Sequence, residues 1–253
     1  MNNWKYNPKT KGSGVITCIP QKGTCPNKCK DCFFQSGRSY LEPLNENLPH
    51  IPPKELADGR IVRINDGNDS AYLKDLVIET AKKYKDYFFN TATPGGLEDF
   101  NAPVVLTVNP GGITDINFYK IKYYHNLMFV RIRVNAWNIE KVVRPAIKYY
   151  SEREIPIVLT FMAYYVTPIP NDYKDHYIWK QRTTNSYYVL KQKYIDDLEE
   201  DYKHNQYVHT CGFKGQYACT FCGNCIREYY NTKERLRNIK EDKEIVKTIW
   251  EDN

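Results

Sequence analysis

Apolar residues come in six short, nearly unbroken runs over the first two thirds of the chain: Val15–Ile19, Ile61–Ile64, Tyr87–Asn90, Val104–Val108, Leu127–Val134 and Ile157–Met162. Runs of this length, rich in β-branched and aromatic residues, predict strands. Their lack of polar alternation predicts burial on both faces, as in a parallel sheet. Between them the period lengthens to that of a helix. Leu73, Leu76, Val77, Thr80, Ala81 and Tyr84 mark one helical face, with Ser70 as its N-cap. Ile139, Val142, Val143, Ala146, Ile147 and Tyr150 mark a second after Asn138, and Pro145 either kinks that helix or sets its true start. Strands alternating with crossovers predict an α/β fold. A partial (β/α)6 barrel satisfies the pattern, and a doubly wound open sheet satisfies it almost as well.

The flanks read differently. Residues 1–14 form a polar, extended lead-in. Residues 39–60 are proline-rich and predict a long irregular connection, with a short helix near Pro53–Asp58, able to fold over a site. Residues 167–210 are rich in Tyr, Asp, Lys and His, with a helix expected around Tyr187–Tyr202. Thr232–Asn253 reads as a charged amphipathic helix, with Leu236, Ile239, Val246 and Ile249 on the side that packs back on the barrel. The division expected is a barrel core over 1–166 and, over 167–253, a small cysteine-rich, metal-binding cap.

Cysteine changes this picture most. Seven of the eight cysteines in 253 residues fall in two tight groups, which points to metal binding in a reducing compartment and away from a disulfide scaffold. A polar start and the lack of a long apolar run predict a cytoplasmic protein with no membrane partner. The net charge of +6 permits an anionic substrate without indicating nucleic-acid binding. The first group is Cys25, Cys29 and Cys32, spaced C-x3-C-x2-C just beyond the first strand. Such gaps let one turn of backbone aim three sulfurs at one point, and Lys28 and Lys30 favour thiolates there.

This motif, in this place, resembles the signature of the radical S-adenosylmethionine (SAM) superfamily. Asp31 stands where that family usually has an aromatic residue, and Phe33 and Phe34 follow the third cysteine instead. The resemblance implies that the three cysteines hold three irons of a [4Fe–4S] cluster. The fourth iron would bind SAM, cleaved to methionine and a 5′-deoxyadenosyl radical that takes hydrogen from a substrate. It also implies an external electron donor such as flavodoxin or ferredoxin. By position, Asn65, Asp66, Gly67 and Asn68 after the second strand would meet the methionine end of SAM. Asn90, Thr91, Asn109, Arg133 and Asn135 at later strand ends would hold its ribose and carboxylate, Arg133 in bidentate fashion. Each is also a residue type that βα turns use in any case, although four successive strands ending in Asn is a stronger pattern than any one alone.

The second group, Cys211, Cys219, Cys222 and Cys225, is spaced C-x7-C-x2-C-x2-C with Gly212, Gly215 and Gly223 among them. Four ligands suit an auxiliary [4Fe–4S] cluster or structural zinc. His209 is a further, weaker ligand candidate. A different class of protein also fits: a non-catalytic, zinc-stapled binding protein, with nucleic acid as a conceivable target. That reading needs Cys18 as a fourth ligand beside Cys25, Cys29 and Cys32, whereas a strand position makes Cys18 a small buried hydrophobe.

Overall fold

All six apolar runs form strands, and their order in space repeats their order in sequence. The computed structural model describes residues 4–29, 32, 34, 40–43, 46–109, 117–165, 168–181, 186–212 and 219–251, apart from the side chains of 118 and 242–251. β1 (Val15–Cys18), β2 (Ile61–Ile64), β3 (Tyr87–Thr91), β4 (Val104–Val108), β5 (Leu127–Val134) and β6 (Ile157–Phe161) lie side by side. All pair in parallel, with Val15 opposite Ile61 and Val130 opposite Ile157. The sheet curls into a half-barrel.

Six strands were expected and seven are present. Val208–Thr210 adds along β6, also in parallel, as the last strand of this sheet. It is only three residues long, half-buried, and sits in a stretch dominated by Tyr, Lys and His, so no apolar run announced it. It is β10 here because three strands precede it: β7 (Ala163–Tyr164), β8 (Tyr177–Lys180) and β9 (Tyr187–Leu190) form a separate antiparallel sheet in the order β7-β9-β8.

The crossovers vary. α1 (Lys54–Ala57) falls where the short helix was expected. α2 (Lys74–Ala81) starts four residues after Ser70, because Ser70 accepts from Asn65 Nδ2 and Gln21 Nε2 takes the carbonyls of Asp69 and Tyr72. Leu73 then turns through a left-handed φ of 49°, and Val77, Thr80 and Ala81 face inward while Leu73 and Leu76 stay exposed. The crossovers after β3 and β4 carry, among the described residues, only 3-10 turns at Leu97–Asp99 and Asn117–Tyr119. After β5 a π-helical turn at Ile139–Val143 leads into α3 (Arg144–Ser151), so Pro145 marks the start of the regular helix, where its missing N–H costs nothing. The helix expected at Tyr187–Tyr202 divides: its first residues are β9, held by pairs such as Trp179 with Tyr188 at 4.7 Å, and α4 is Gln192–Asp201. α5 (Cys219–Cys222) and α6 (Asn224–Glu251) close the chain, α6 beginning eight residues before Thr232. No helix among the described residues is long and apolar enough to cross a membrane.

Two cores follow from strand alternation. Ile16, Cys18, Val62, Ile64, Phe89, Leu106 and Ile132 face outward onto Val77, Ala81, Ala146 and Tyr150 of the crossover helices. The concave face is apolar toward the N-terminal ends of the strands, where Ile61, Phe88, Val105, Phe129 and Val158 enclose Tyr229 of α6. Each such side chain contributes about 1.5–3 kcal/mol. Tyr229 also donates to Asp86 Oδ1 at 3.0 Å, and Arg235 Nη2 donates to the Leu127 carbonyl at 2.6 Å. The first turns of α6 are thereby seated inside the half-barrel, well before the part of the helix that its amphipathic pattern had singled out.

Candidate functional site

One step further along each strand, the concave face becomes polar. Arg63 follows Ile61 at i+2, Asn90 follows Phe88, Thr107 follows Val105, Arg131 and Arg133 follow Phe129, and Thr160 follows Val158. The same alternation that builds the apolar floor therefore builds a charged ring above it.

The loop holding Cys25, Cys29 and Cys32 crosses the C-terminal ends of the strands. Asn27 Nδ2 donates to Asp69 Oδ2 at 2.6 Å, the Asn109 side chain donates to Cys29, and Cys32 and Arg133 lie within each other's field. Asp69 is the hub. Its carboxylate also accepts from Thr91 Oγ1 at 2.6 Å, Ala92 N at 2.7 Å and Ala71 N at 2.8 Å. The loop after β2, the end of β3 and the cysteine loop are thus latched by one side chain. Nothing in the local sequence marked these long-range bonds of Asp69. Burial pushes the Cys25 thiol up to about 12, and burial followed by Cys32 raises Cys29.

The other expected residues divide by what their polar atoms already do. Asn65, at φ 63°, donates to Ser70 Oγ, and Asn135 donates to the Tyr164 hydroxyl at 3.0 Å. Both keep a buried carbonyl oxygen with no hydrogen-bond partner among the described residues, as do Asn109 and Gln21. Asn68 braces the loop by donating to the Gly23 carbonyl at 3.3 Å, and Gly67 is buried beside it. Asn90 is fully engaged, donating to the Ile64 carbonyl and accepting from Arg131 Nη1 at 3.1 Å, and Thr91 is committed to Asp69. Asp66 turns to the concave side, where Arg63 Nη2 meets it at 2.7 Å and Asn7 Nδ2 donates to the same oxygen. Burial pushes the Asp66 carboxyl up, but Arg63 and Asn7 outweigh it and hold it below the usual carboxylate range. Burial, then the neighbouring Arg131, brings Arg133 down to about 10. Lys30, Asp31, Phe33 and Gly215 lie outside the described residues.

Cys18 sits in the outward core, fully buried and raised to about 12 by that burial, hydrogen-bonded with Tyr84. It is on the opposite face of the sheet from the charged ring.

The C-terminal cysteines enter the half-barrel. Cys211 extends β10 by donating its N–H to the Leu159 carbonyl at 2.7 Å, and Cys219 donates to the Lys9 carbonyl at 2.8 Å. Cys211 and Cys225 pack against the concave core. The Cys222 thiol donates a hydrogen bond to Cys211, holding Cys211 well below the usual thiol range, with Arg131 and Lys9 nearby, while Cys222 is driven up. Burial raises Cys225, whose neighbours are Arg131 and Arg63. His209 lies in β10, its pKa lowered by burial. The cysteines of each group are neighbours, yet no three His, Cys, Asp or Glu side chains among the described residues stand in metal-holding proximity. A cleft of about 1000 Å³ lies between α6 and the loops before β3, β4 and β5, bounded by Lys85, Tyr123 and Tyr230, at the end of the strands away from both groups.

No protein-family model, no curated protein and no solved structure matches this chain.

Proposed function

We propose that the chain is a radical SAM enzyme whose reaction site is the mouth of the half-barrel. What carries the reading is the cysteine loop laid over the ends of β2, β3 and β4 and bonded there through Asn27–Asp69 and Asn109–Cys29. The residue types suit an iron–sulfur cluster, three free thiols on one short loop, although among the described residues their side chains do not converge as a metal site; open acceptors lie on the neighbouring strand ends. Cys25, Cys29 and Cys32 would hold the [4Fe–4S] cluster, which when bound supplies the electron for reductive cleavage of SAM. An external donor such as flavodoxin or ferredoxin would replenish it.

The chain's own residues do the positioning. The carbonyl oxygens of Asn65, Asn109 and Asn135, without a hydrogen-bond partner among the described residues, suit the ammonium and hydroxyl donors of SAM, and Arg133 suits its carboxylate. Asp69 ties the cysteine loop to the end of β3, and Tyr229 of α6 packs on the apolar floor. Cys211, Cys219, Cys222 and Cys225 would hold a second [4Fe–4S] cluster or a zinc ion inside the half-barrel. The zinc-stapled alternative needs Cys18 as a front ligand, and the place of Cys18 in the outward core disfavours it.

Anaerobic loading with iron and sulfide, followed by addition of SAM and reductant, tests the reading. A brown protein that releases 5′-deoxyadenosine is expected. A colourless zinc protein that releases none would overturn it.

A further inference from the structure

Charged residues inside an otherwise apolar strand need a compensating partner. β5 carries two, Arg131 and Arg133, spaced i and i+2 so that both project onto the concave face, and β2 adds Arg63 to that face. Lys9 joins them within the field of Arg133. Against Arg63 and Arg131 stand the Asp66 carboxylate, already engaged by Arg63 and Asn7, and the Cys211 thiol, held well below the usual thiol range with Arg131 nearby. Burying like charges together is unfavourable unless something anionic balances them.

Hydrogen bonding points the same way. Among the described residues Arg131 donates from Nη1 alone, at 3.1 Å to Asn90 Oδ1 and 3.5 Å to Thr107 Oγ1. Arg63 Nε is buried without a partner among the described residues, and so is Thr160 Oγ1, which the register places next to Arg133. Burying such an orphaned group is unfavourable unless a ligand satisfies it. Arg131, Arg133, Thr107 and Thr160 are half-buried, so solvent reaches them. The orphans at the outer rim are acceptors, whereas here a hydroxyl and guanidinium N–H groups are left over. Planar guanidinium donors with a hydroxyl beside them match the oxygens of a carboxylate or phosphate.

We propose that the concave face is an oxyanion-binding site centred on Arg131 and flanked by Arg63 and Thr160. It takes a carboxylate or phosphate group of the substrate. The word substrate rests on the reading of the mouth as a reaction site; the anion site itself does not.

Calorimetric titration of the full chain with sodium phosphate and with sodium acetate, before and after anaerobic loading with iron and sulfide, tests it. One of the two anions is expected to bind in both states, and the tighter one tells phosphate from carboxylate. Arg131→Gln should weaken binding about tenfold or more, the loss of a charge-assisted hydrogen bond. Thr160→Val, which keeps every charge, should weaken it less, and Lys85→Gln at the far cleft should leave it unchanged. Absence of binding, or binding indifferent to Arg131→Gln, overturns the proposal. So does binding that vanishes on loading, because the guanidiniums would then be counter-charges to the C-terminal thiolates. Should Arg131→Gln fail to fold, undiminished affinity in Thr160→Val overturns it instead. Anion binding without 5′-deoxyadenosine release would sink the SAM reading and leave this site standing; the converse would do the reverse.

Discussion

Cys25, Cys29 and Cys32 hang on a loop latched from outside by Asp69 and Asn109, whereas Cys211, Cys219, Cys222 and Cys225 begin a strand extension and two helices that fill the concave face. The first group depends on a few hydrogen bonds between loops. The second depends on apolar packing around Tyr229 and on the field of Arg63, Arg131 and Lys9. The difference separates two tasks. A loop at a strand end can bring thiols to a ligand without disturbing the sheet, but thiols in the floor of the barrel are part of what holds the barrel closed.

The comparison breaks most severely at Tyr229. Tyr229→Ala removes a buried ring from the concave core and should cost about 3–5 kcal/mol, measured by chemical denaturation. Thiol labelling should rise at Cys211 and Cys225 and stay unchanged at Cys25. Equal labelling of both groups would mean that they do not form separate units.

Asp69→Ala should follow at about 2–3 kcal/mol, since it strands the donors of Thr91, Ala92 and Asn27. Here labelling should reverse, rising at Cys25 and Cys29 with the C-terminal group unaffected. Loss of front-site iron with C-terminal metal retained would sharpen the point.

Asp66 tests the charged ring by pH. Its folded carboxyl is held below the usual range, so its stabilising effect is present above the ordinary carboxylate pKa of about 4 and is lost as pH falls from there through the depressed folded value. The denaturation midpoint of Asp66→Asn should lie furthest below that of the parent near neutral pH, the gap closing in acid. A gap independent of pH would show that the Arg63–Asp66 contact carries no charge-dependent stability.

Cys18→Ala should do least. It removes about one methylene's worth of packing, about 1 kcal/mol, and should leave metal content at both groups intact. Iron loss equal to that of Cys29→Ala would place Cys18 among the front ligands and remove the open coordination position the proposed chemistry needs.

Much of the site was legible locally, but its bonding was not. The spacing of Cys25, Cys29 and Cys32 and the asparagines at four strand ends stand in the chain order itself. Which asparagines keep an open oxygen was not readable, since Asn90 is consumed by Arg131 from two strands away while Asn135 is not. Arg131 did carry a signal: two arginines at i and i+2 in an apolar strand must share a face. Asp69, Gln21 and Thr160 carried none, because their roles come from partners or neighbours 20 or more residues away.

By itself the sequence determined six parallel strands, the α/β class, a helix between β5 and β6 with Pro145 either kinking or starting it, and the two cysteine groups. These follow from local periods and spacings, which act over a few residues. Only tertiary structure decided the seventh strand, the division of Tyr187–Tyr202 into β9 and α4, and the late start of α2, because strand pairing and the Gln21 bonds override weak local preference. It also decided that the C-terminal cysteines lie inside the half-barrel. That placement rests on burying Tyr229 against Phe88 and Val158, a contact between residues more than 70 positions apart that no local pattern encodes.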